Sequence, residues 1–232
     1  MKNNMRSWTK TLAILLASIS LGVIGQAQQP QVVYDNSTTY LGDFYAPSSL
    51  GEFGDQVKLS DAFASPTVTE FKFDYFLSHG ANGNETADLK FYSNDGPNVF
   101  GGTTPPVTPA PGTLLYDSGV FPIAAGFNTF TASGLSLNVP QDFTWSVTFG
   151  GVEGTEQVGL LFYNPPTVGS SFDDFWDKSS GQWELKDFAG SPVANFGARV
   201  TAVPEPSTIQ FAFMAGLAWC GWLAYRRRSS HS

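Results

Sequence analysis

The chain has 232 residues, 42% hydrophobic and 15% aromatic, with 12 basic and 20 acidic side chains, a formal net charge of −8 and a single cysteine. One cysteine rules out a disulfide framework and zinc sites built on thiolates. The acidity argues against a nucleic-acid surface, which relies on clustered Lys and Arg, and the length allows one sizeable domain or two small ones.

The N-terminus reads as an export signal. Lys2, Arg6 and Lys10 precede the apolar run Leu12–Ile24, and Gly25-Gln26-Ala27 puts small residues where a signal peptidase reads. Residues 1–27 are therefore expected to be a signal peptide cleaved after Ala27. Residues 28–202 are left as the folded ectodomain, long enough for one proper core. Setting aside these three basic residues and Arg226, Arg227 and Arg228, six basic side chains face twenty acidic ones, a balance of −14. Such a domain is repelled by anionic lipid and suits an extracellular matrix.

The ectodomain is rich in Phe, Thr and Val, punctuated by Gly and Pro, and poor in helix formers. No stretch in it has the i, i+3, i+4, i+7 spacing of an amphipathic helix. Val32–Tyr34 and Phe53–Leu59 read as short strands. Next come Phe71, Phe73, Tyr75 and Leu77 alternating with Glu70, Lys72 and Asp74, then Ala87, Leu89 and Phe91 alternating with Asp88, Lys90 and Tyr92. The clearest strand is Phe143–Phe149, apolar at every odd position and Thr or Ser at every even one, which predicts one face to the core and one to water. Leu114–Asp117, Asn128–Ala132, Gly159–Tyr163, Trp183–Asp187 and the alternating Phe196–Thr201 complete the set. Turn signals fall between them at Gly80–Asn84, Asn94-Asp95-Gly96 and Gly150–Gly154. Eight to ten short strands so spaced predict an all-β fold, an antiparallel β-sandwich of jelly-roll type. Residues Gly101–Gly112 carry four prolines and are expected to form an extended surface loop outside any sheet.

Catalytic chemistry is sparse. His231 lies at the C-terminus, and His79, beside Ser78, abuts a turn and reads as a loop residue rather than a triad member. No nucleophile elbow, zinc-protease pair or phosphate loop occurs. A glycosidase needs only two carboxylates, but Glu153 and Glu156 share a Gly-flanked turn and nothing in the sequence marks a buried acid with a raised pKa. Asp173, Asp174 and Asp177 sit among Phe172, Phe175 and Trp176. Asp173, Asp174, Trp176 and Trp183 are thus candidate carbohydrate contacts, the alternative being a loop whose aromatics plug the end of the sandwich. No cofactor is expected beyond a structural calcium ion, for which Asp173, Asp174 and Asp177, or Asn94, Asp95 and Asp117, offer oxygen ligands. Asn36-Ser37-Thr38 and Asn84-Glu85-Thr86 match the glycosylation sequon, a pattern common by chance.

The last thirty residues organise the rest. Val203, Pro204, Glu205, Pro206 and Ser207, followed by Thr208, precede the charge-free run Ile209–Tyr225, and Arg226, Arg227 and Arg228 follow it. As a helix the run reaches roughly 25 Å, enough to insert, and the arginines would stay cytoplasmic. Cys220 lies within this run and reads as a small apolar residue. This order of motif, helix and basic cluster resembles the PEP-CTERM sorting signal of exported proteins in Gram-negative bacteria that make exopolysaccharide. The resemblance implies recognition of Pro204, Glu205 and Pro206 by exosortase, a membrane-embedded transpeptidase, with Arg226–Arg228 as the retention cluster. Residues 203–232 would then be a removable sorting signal: motif 203–208, transmembrane helix 209–225 and cytoplasmic tail 226–232. Gly112–Gly119 and Pro166–Trp176 also have the look of ectodomains in that family. The expected protein is non-enzymatic and crosses the inner membrane. It is held there transiently, then reaches the cell envelope or matrix in association with exopolysaccharide. A carbohydrate-binding module and a secreted glycoside-active enzyme are the alternatives.

Overall fold

The computed structural model describes residues 29–47, 50–61, 66–78, 80, 82–100 and 107–204. The expected signal peptide, His79, residues 205–208 of the sorting motif, the apolar run and the arginine cluster lie outside the described residues.

Within them every regular element is a strand. In chain order these are β1 (Gln31–Asp35), β2 (Tyr40–Tyr45), β3 (Phe53–Lys58), β4 (Pro66–Leu77) and β5 (Thr86–Ser93). Then come β6 (Asn98–Phe100), β7 (Val107–Pro109), β8 (Leu114–Pro122), β9 (Gly126–Asn138) and β10 (Asp142–Gly150). Last are β11 (Val158–Tyr163), β12 (Ser170–Ser171), β13 (Phe175–Asp177), β14 (Glu184–Lys186) and β15 (Ala198–Pro204). All pairings are antiparallel.

The first sheet is built on β4. One edge of β4 pairs with β9 from Thr67↔Asn138 to Leu77↔Gly126. Its other edge is shared: β15 takes Pro66 to Phe73 and β11 takes Tyr75 to Leu77. Strand β1 lies beyond β15, and β2 beyond β11. The second sheet runs β14-β13-β3-β10-β5-β8, with β12 also on β3.

Alternation explains which faces meet. Phe71, Phe73, Tyr75 and Leu77 are buried, as are Phe143, Trp145, Val147 and Phe149. A register shift between Val68 and Glu70 inserts a bulge that flips the parity of β4, so Val68 and Phe71, three residues apart, are both buried. The two sheets share one core. Phe71 meets Trp145 at 5.3 Å and Phe91 at 4.8 Å, and Phe73 stacks on Trp145 at 5.7 Å. Phe196 is a second hub, stacked on Phe162 at 5.4 Å and edge-on to Phe53 and Phe175. Such offset and edge-to-face contacts add to the large apolar area each ring removes from water.

Three expectations need correction. Strands number fifteen among the described residues rather than eight to ten, because β2, β6, β7, β12 and β13 carry no clean alternation. Thr144 and Ser146 do not face water; both are fully buried. The outer side of β10 is covered: Thr144 donates to Asn94 Oδ1 at 2.7 Å, Ser146 donates to Glu52 Oε1 at 2.6 Å, and Trp176, placed there by its register with Gly54, lies on the same face. The proline-rich segment does enter a sheet. Val107–Pro109 pairs with Asn98–Phe100 in a two-stranded ribbon, where Pro109 is tolerated because each strand of the ribbon has a free edge. That ribbon extends the β5–β8 hairpin, since Tyr92 pairs with Leu114, so the segment links two strands of one sheet and not two domains.

Phe196→Ala should cost about 3–5 kcal/mol of unfolding free energy, the range for a large aromatic removed from a packed core. Denaturant unfolding checks this; a loss under about 1 kcal/mol would mean that the ring cluster is not the centre of the core.

Candidate functional site

Registers on the outer side of the first sheet assemble a set of rings from four strands. Leu161 pairs with Phe44, Gly159 with Phe76, Phe76 with Phe127, and Tyr163 with Tyr40, so all five rings project from the face opposite Tyr75 and Leu77. Phe44 and Phe76 flank β11 and meet at 4.8 Å, where Gly159 contributes no side chain. Phe76 meets Phe127 at 4.8 Å, Tyr40 meets Phe127 at 6.2 Å, and Tyr163 meets Tyr40 at 5.5 Å. Phe127 is 63% exposed and Tyr40 40% exposed. The stripe spans three inter-strand gaps, about 14 Å.

A carboxylate lies beside the rings. Asp74 accepts a hydrogen bond from Thr129 Oγ1 at 2.5 Å and another from the Tyr163 hydroxyl. Burial raises its pKa, and the two donors only partly offset this. Tyr163 is pushed up to about 12 by burial and by the Asp74 charge. The nearby cations are already paired, Lys72 with Glu70 at 3.2 Å and Arg199 with Asp35 at 3.7 Å. The face therefore offers aromatic rings and oxygen acceptors with no uncompensated positive charge among the described residues. Its chemistry suits a ligand with apolar C–H faces and hydroxyl donors.

A second polar group lies inside the core. Asp55 is fully buried, opposite Trp145 in the β3–β10 register. Its Oδ2 accepts from the Phe196 amide at 3.2 Å. Ser171 Oγ stands 3.2 and 3.1 Å from its two oxygens and 3.2 Å from the Gln56 carbonyl. Ser171 has one proton, so both groups are satisfied when Asp55 is the neutral acid: Asp55 donates to Ser171 and Ser171 donates to Gln56. Burial raises the Asp55 pKa well above its ordinary value, and Asp174 pushes the same way. Tyr34, fully buried beside it, is likewise raised, first by burial and then by Asp55. The sequence had given no sign of a buried acid; the structure supplies one, walled in by packed side chains.

Of the sequence candidates, Trp176 and Trp183 meet edge-on with ring centroids 6.4 Å apart. Trp176 is fully buried, its indole N–H donating to Gln56 Oε1 at 3.4 Å. Trp183 is half-buried, with Lys178 5.0 Å over its ring and Tyr92 edge-on at 5.7 Å. Asp173 is exposed and Asp174 buried. Asp177 is engaged by Tyr45 at 3.1 Å, the Ser179 amide at 2.8 Å and Lys186 at 3.3 Å. Although burial opposes it, these bonds hold Asp177 below the usual carboxylate range. Asn94 bonds Asp142 and Thr144, Asp95 bonds Thr113, and Asp117 bonds the Gly119 amide. Among the described residues no three Asp, Glu, His or Cys side chains converge as a metal site. Glu153 and Glu156 line a shallow open hollow with Ser78 and Asn82, where Glu156 accepts the Glu153 amide at 2.8 Å. Asn36 of the first sequon is buried and donates to the Tyr163 and Phe196 carbonyls, whereas Asn84 is exposed.

The ring stripe was missed in the sequence, although Phe76 carries a signal. It is apolar at a position that alternation assigns to the outer face. No protein-family model matches the chain, and no curated protein matches its sequence.

Asp55 gives a signed pH dependence. Its folded-state pKa lies above its unfolded value, so its contribution is present at low pH and lost as pH rises through the folded pKa. Asp55→Asn keeps the neutral shape. Its melting temperature relative to wild type should climb as pH is raised from about 4 to 8, a window set by the ordinary Asp pKa. A constant difference would place Asp55 in the ionised form throughout.

Proposed function

We propose that this chain is an exported, non-enzymatic protein of the cell envelope or extracellular matrix, sorted through a PEP-CTERM signal by an exosortase after a signal peptidase has removed residues 1–27. The observation that carries the reading is the tail: Val203-Pro204-Glu205-Pro206-Ser207-Thr208, then seventeen residues without charge, then Arg226-Arg227-Arg228. The end of β15 fits this reading. Val203 and Pro204 pair with Thr67 and Pro66 in the first sheet, so the domain runs without a spacer into the motif. A processing enzyme would then meet Glu205 and Pro206 at the end of a rigid strand.

For the ectodomain we read the two sheets and their shared core as a β-sandwich of jelly-roll type. The absence of chemistry in this reading rests on how the acids are used. The strongest candidate for a tuned acid, Asp55, is sealed in the core, and Asp177 is committed to Tyr45, Ser179 and Lys186.

The sorting reading has a direct test. Alanines at Pro204, Glu205 and Pro206, in a host that makes exosortase, should leave the protein unprocessed in the inner membrane; unchanged processing and location would refute it.

A carbohydrate-binding role is the second reading, favoured by the exposed rings beside Asp74. Burial of Trp145 and Trp176 counts against those two as contacts, so the ligand face would be Tyr40, Phe127 and Tyr163 instead. Without a free cation nearby, neutral polysaccharides should be retained in preference to acidic ones. Tyr40→Ala with Phe127→Ala should weaken retention on a neutral polysaccharide at least tenfold, about 1.4 kcal/mol, in affinity electrophoresis. Equal mobility of wild type and variant on every polysaccharide would eliminate this role.

A further inference from the structure

Among the described residues, strand β9 is the one long strand whose free edge carries no charge or proline. It spans thirteen residues, Gly126–Asn138, and within the described residues it pairs with β4 alone. Its other edge presents a row of backbone N–H and C=O groups, which is a template for another strand.

Edge strands are normally defended by charge, proline, shortness or a bulge. The other edge strands longer than two residues in the two large sheets are so defended: β1 carries Asp35, β2 Asp43, β8 Asp117 and Pro122, and β14 Glu184 and Lys186. In β9, Gly126-Phe127-Asn128-Thr129-Phe130-Thr131-Ala132-Ser133-Gly134-Leu135-Ser136-Leu137-Asn138, there is no charged residue and no proline. Its one irregularity is at the far end. Glu70 pairs with Ser133 and Val68 with Leu137, so β9 bulges across Gly134–Ser136, with Gly134 at a φ of +71°. The regular, uncharged run is therefore Gly126–Ser133.

We propose that this run is a self-association edge, pairing antiparallel with β9 of a second copy of the chain to join two first sheets into one. A row of backbone groups selects a strand as its occupant, not a flat protein surface. The lack of charge selects a second copy. Residues 28–202 carry six basic and nineteen acidic side chains, a balance of −13. Strand β9 is where two copies meet without like charges opposed, whereas any of the other long edges would bring acid against acid in a self-pair or need a complementary foreign strand. Antiparallel pairing about a two-fold axis is self-complementary and closes at two subunits. The bulge at Gly134 ends the run on each copy, which limits the contact to a dimer rather than a growing ribbon. The ring stripe ends at Phe127 on this same edge, so pairing would set the two stripes on one continuous outer face. The proposal stands apart from the sorting reading, because it needs only the folded ectodomain.

The test is the mass of the full chain in detergent, measured by sedimentation in the analytical ultracentrifuge. Wild type is expected to be dimeric. Thr131→Lys and, separately, Ser133→Glu, both at exposed positions, should weaken self-association at least tenfold while the melting temperature at concentrations too low for dimers is unchanged, and Val120→Lys on the exposed edge of β8 should leave association intact. A readout free of added charge is crosslinking. Opposed residues of an antiparallel pair share a face, so the two-fold falls on a residue. Centred on Phe130, it sets Thr131 opposite Thr129 of the second copy and two positions from that copy's Thr131. Thr131→Cys in a Cys220→Ser background should therefore be joined to its copy by a short bismaleimide. A wild type that stays monomeric overturns the proposal. A dimer that is indifferent to both β9 charges and fails to crosslink also overturns it, and assigns the contact to another part of the chain.

Discussion

The described fold depends on β4 being paired along both edges. One edge is taken whole by β9, and the other is divided between β15 and β11. Division requires that β15, the last described strand, and β11 arrive in line, each supplying its own residues to the same core. The bulge near Thr69 makes this compatible with one inward face: without it Val68 and Phe71 could not both be buried. Once β4 is fixed, Phe71 and Phe73 fix Trp145, and Trp145 sets the height at which the second sheet rides. Aromatic contacts across the gap tie the two sheets together in a region where the sequence has no cysteine.

Much of that frame was legible in the sequence, for a simple reason. Strands with one wet face and one dry face write their orientation as period two, and β4, β5 and β15 do so. Where both faces are covered the code degrades. In β10 the odd positions were read correctly, but Thr144 and Ser146 are hydroxyls serving a polar interior rather than water. Asp55 was unreadable because β3 alternates Phe53, Asp55 and Val57 inward with Gly54, Gln56 and Lys58 outward, and a carboxyl group among polar neighbours reads as solvated. The convergence of Ser171 and the Phe196 amide, from β12 and the approach to β15, with the Gln56 backbone beside them, makes its burial tolerable.

The ring stripe failed to show for a different reason. Its five members come from β2, β4, β9 and β11, so no window of sequence contains more than one or two of them. Strand β2 has no period at all, since Tyr40-Leu41-Gly42-Asp43-Phe44-Tyr45 places apolar residues on both faces. A surface formed by register is invisible until the register is known. The out-of-phase Phe76 marks the face but cannot say which residues on other strands join it.

The acidity of the domain has a local explanation that does not require metal or a charged partner. Asp35, Asp117, Asp177 and Asp187 each accept the backbone N–H two residues ahead, from Ser37, Gly119, Ser179 and Ala189. Glu85 does similar work backwards, accepting the Asn82 and Gly83 amides of the preceding turn. These are the bonds by which a short side chain closes a turn in place of backbone. In the Asp187 turn the result is visible as strain: Ala189 is held at a φ of +53°, a left-handed conformation that an L residue with a Cβ rarely takes. A chain with many strands and many tight connections needs many such closures, and a carboxylate makes a stronger acceptor than the amide of Asn. Part of the negative balance is thus a by-product of turn construction. These closures sit at strand ends, so the middle of β9 carries no charge of its own, and the one carboxylate beside the rings around Phe127, Asp74, is buried and held by Thr129.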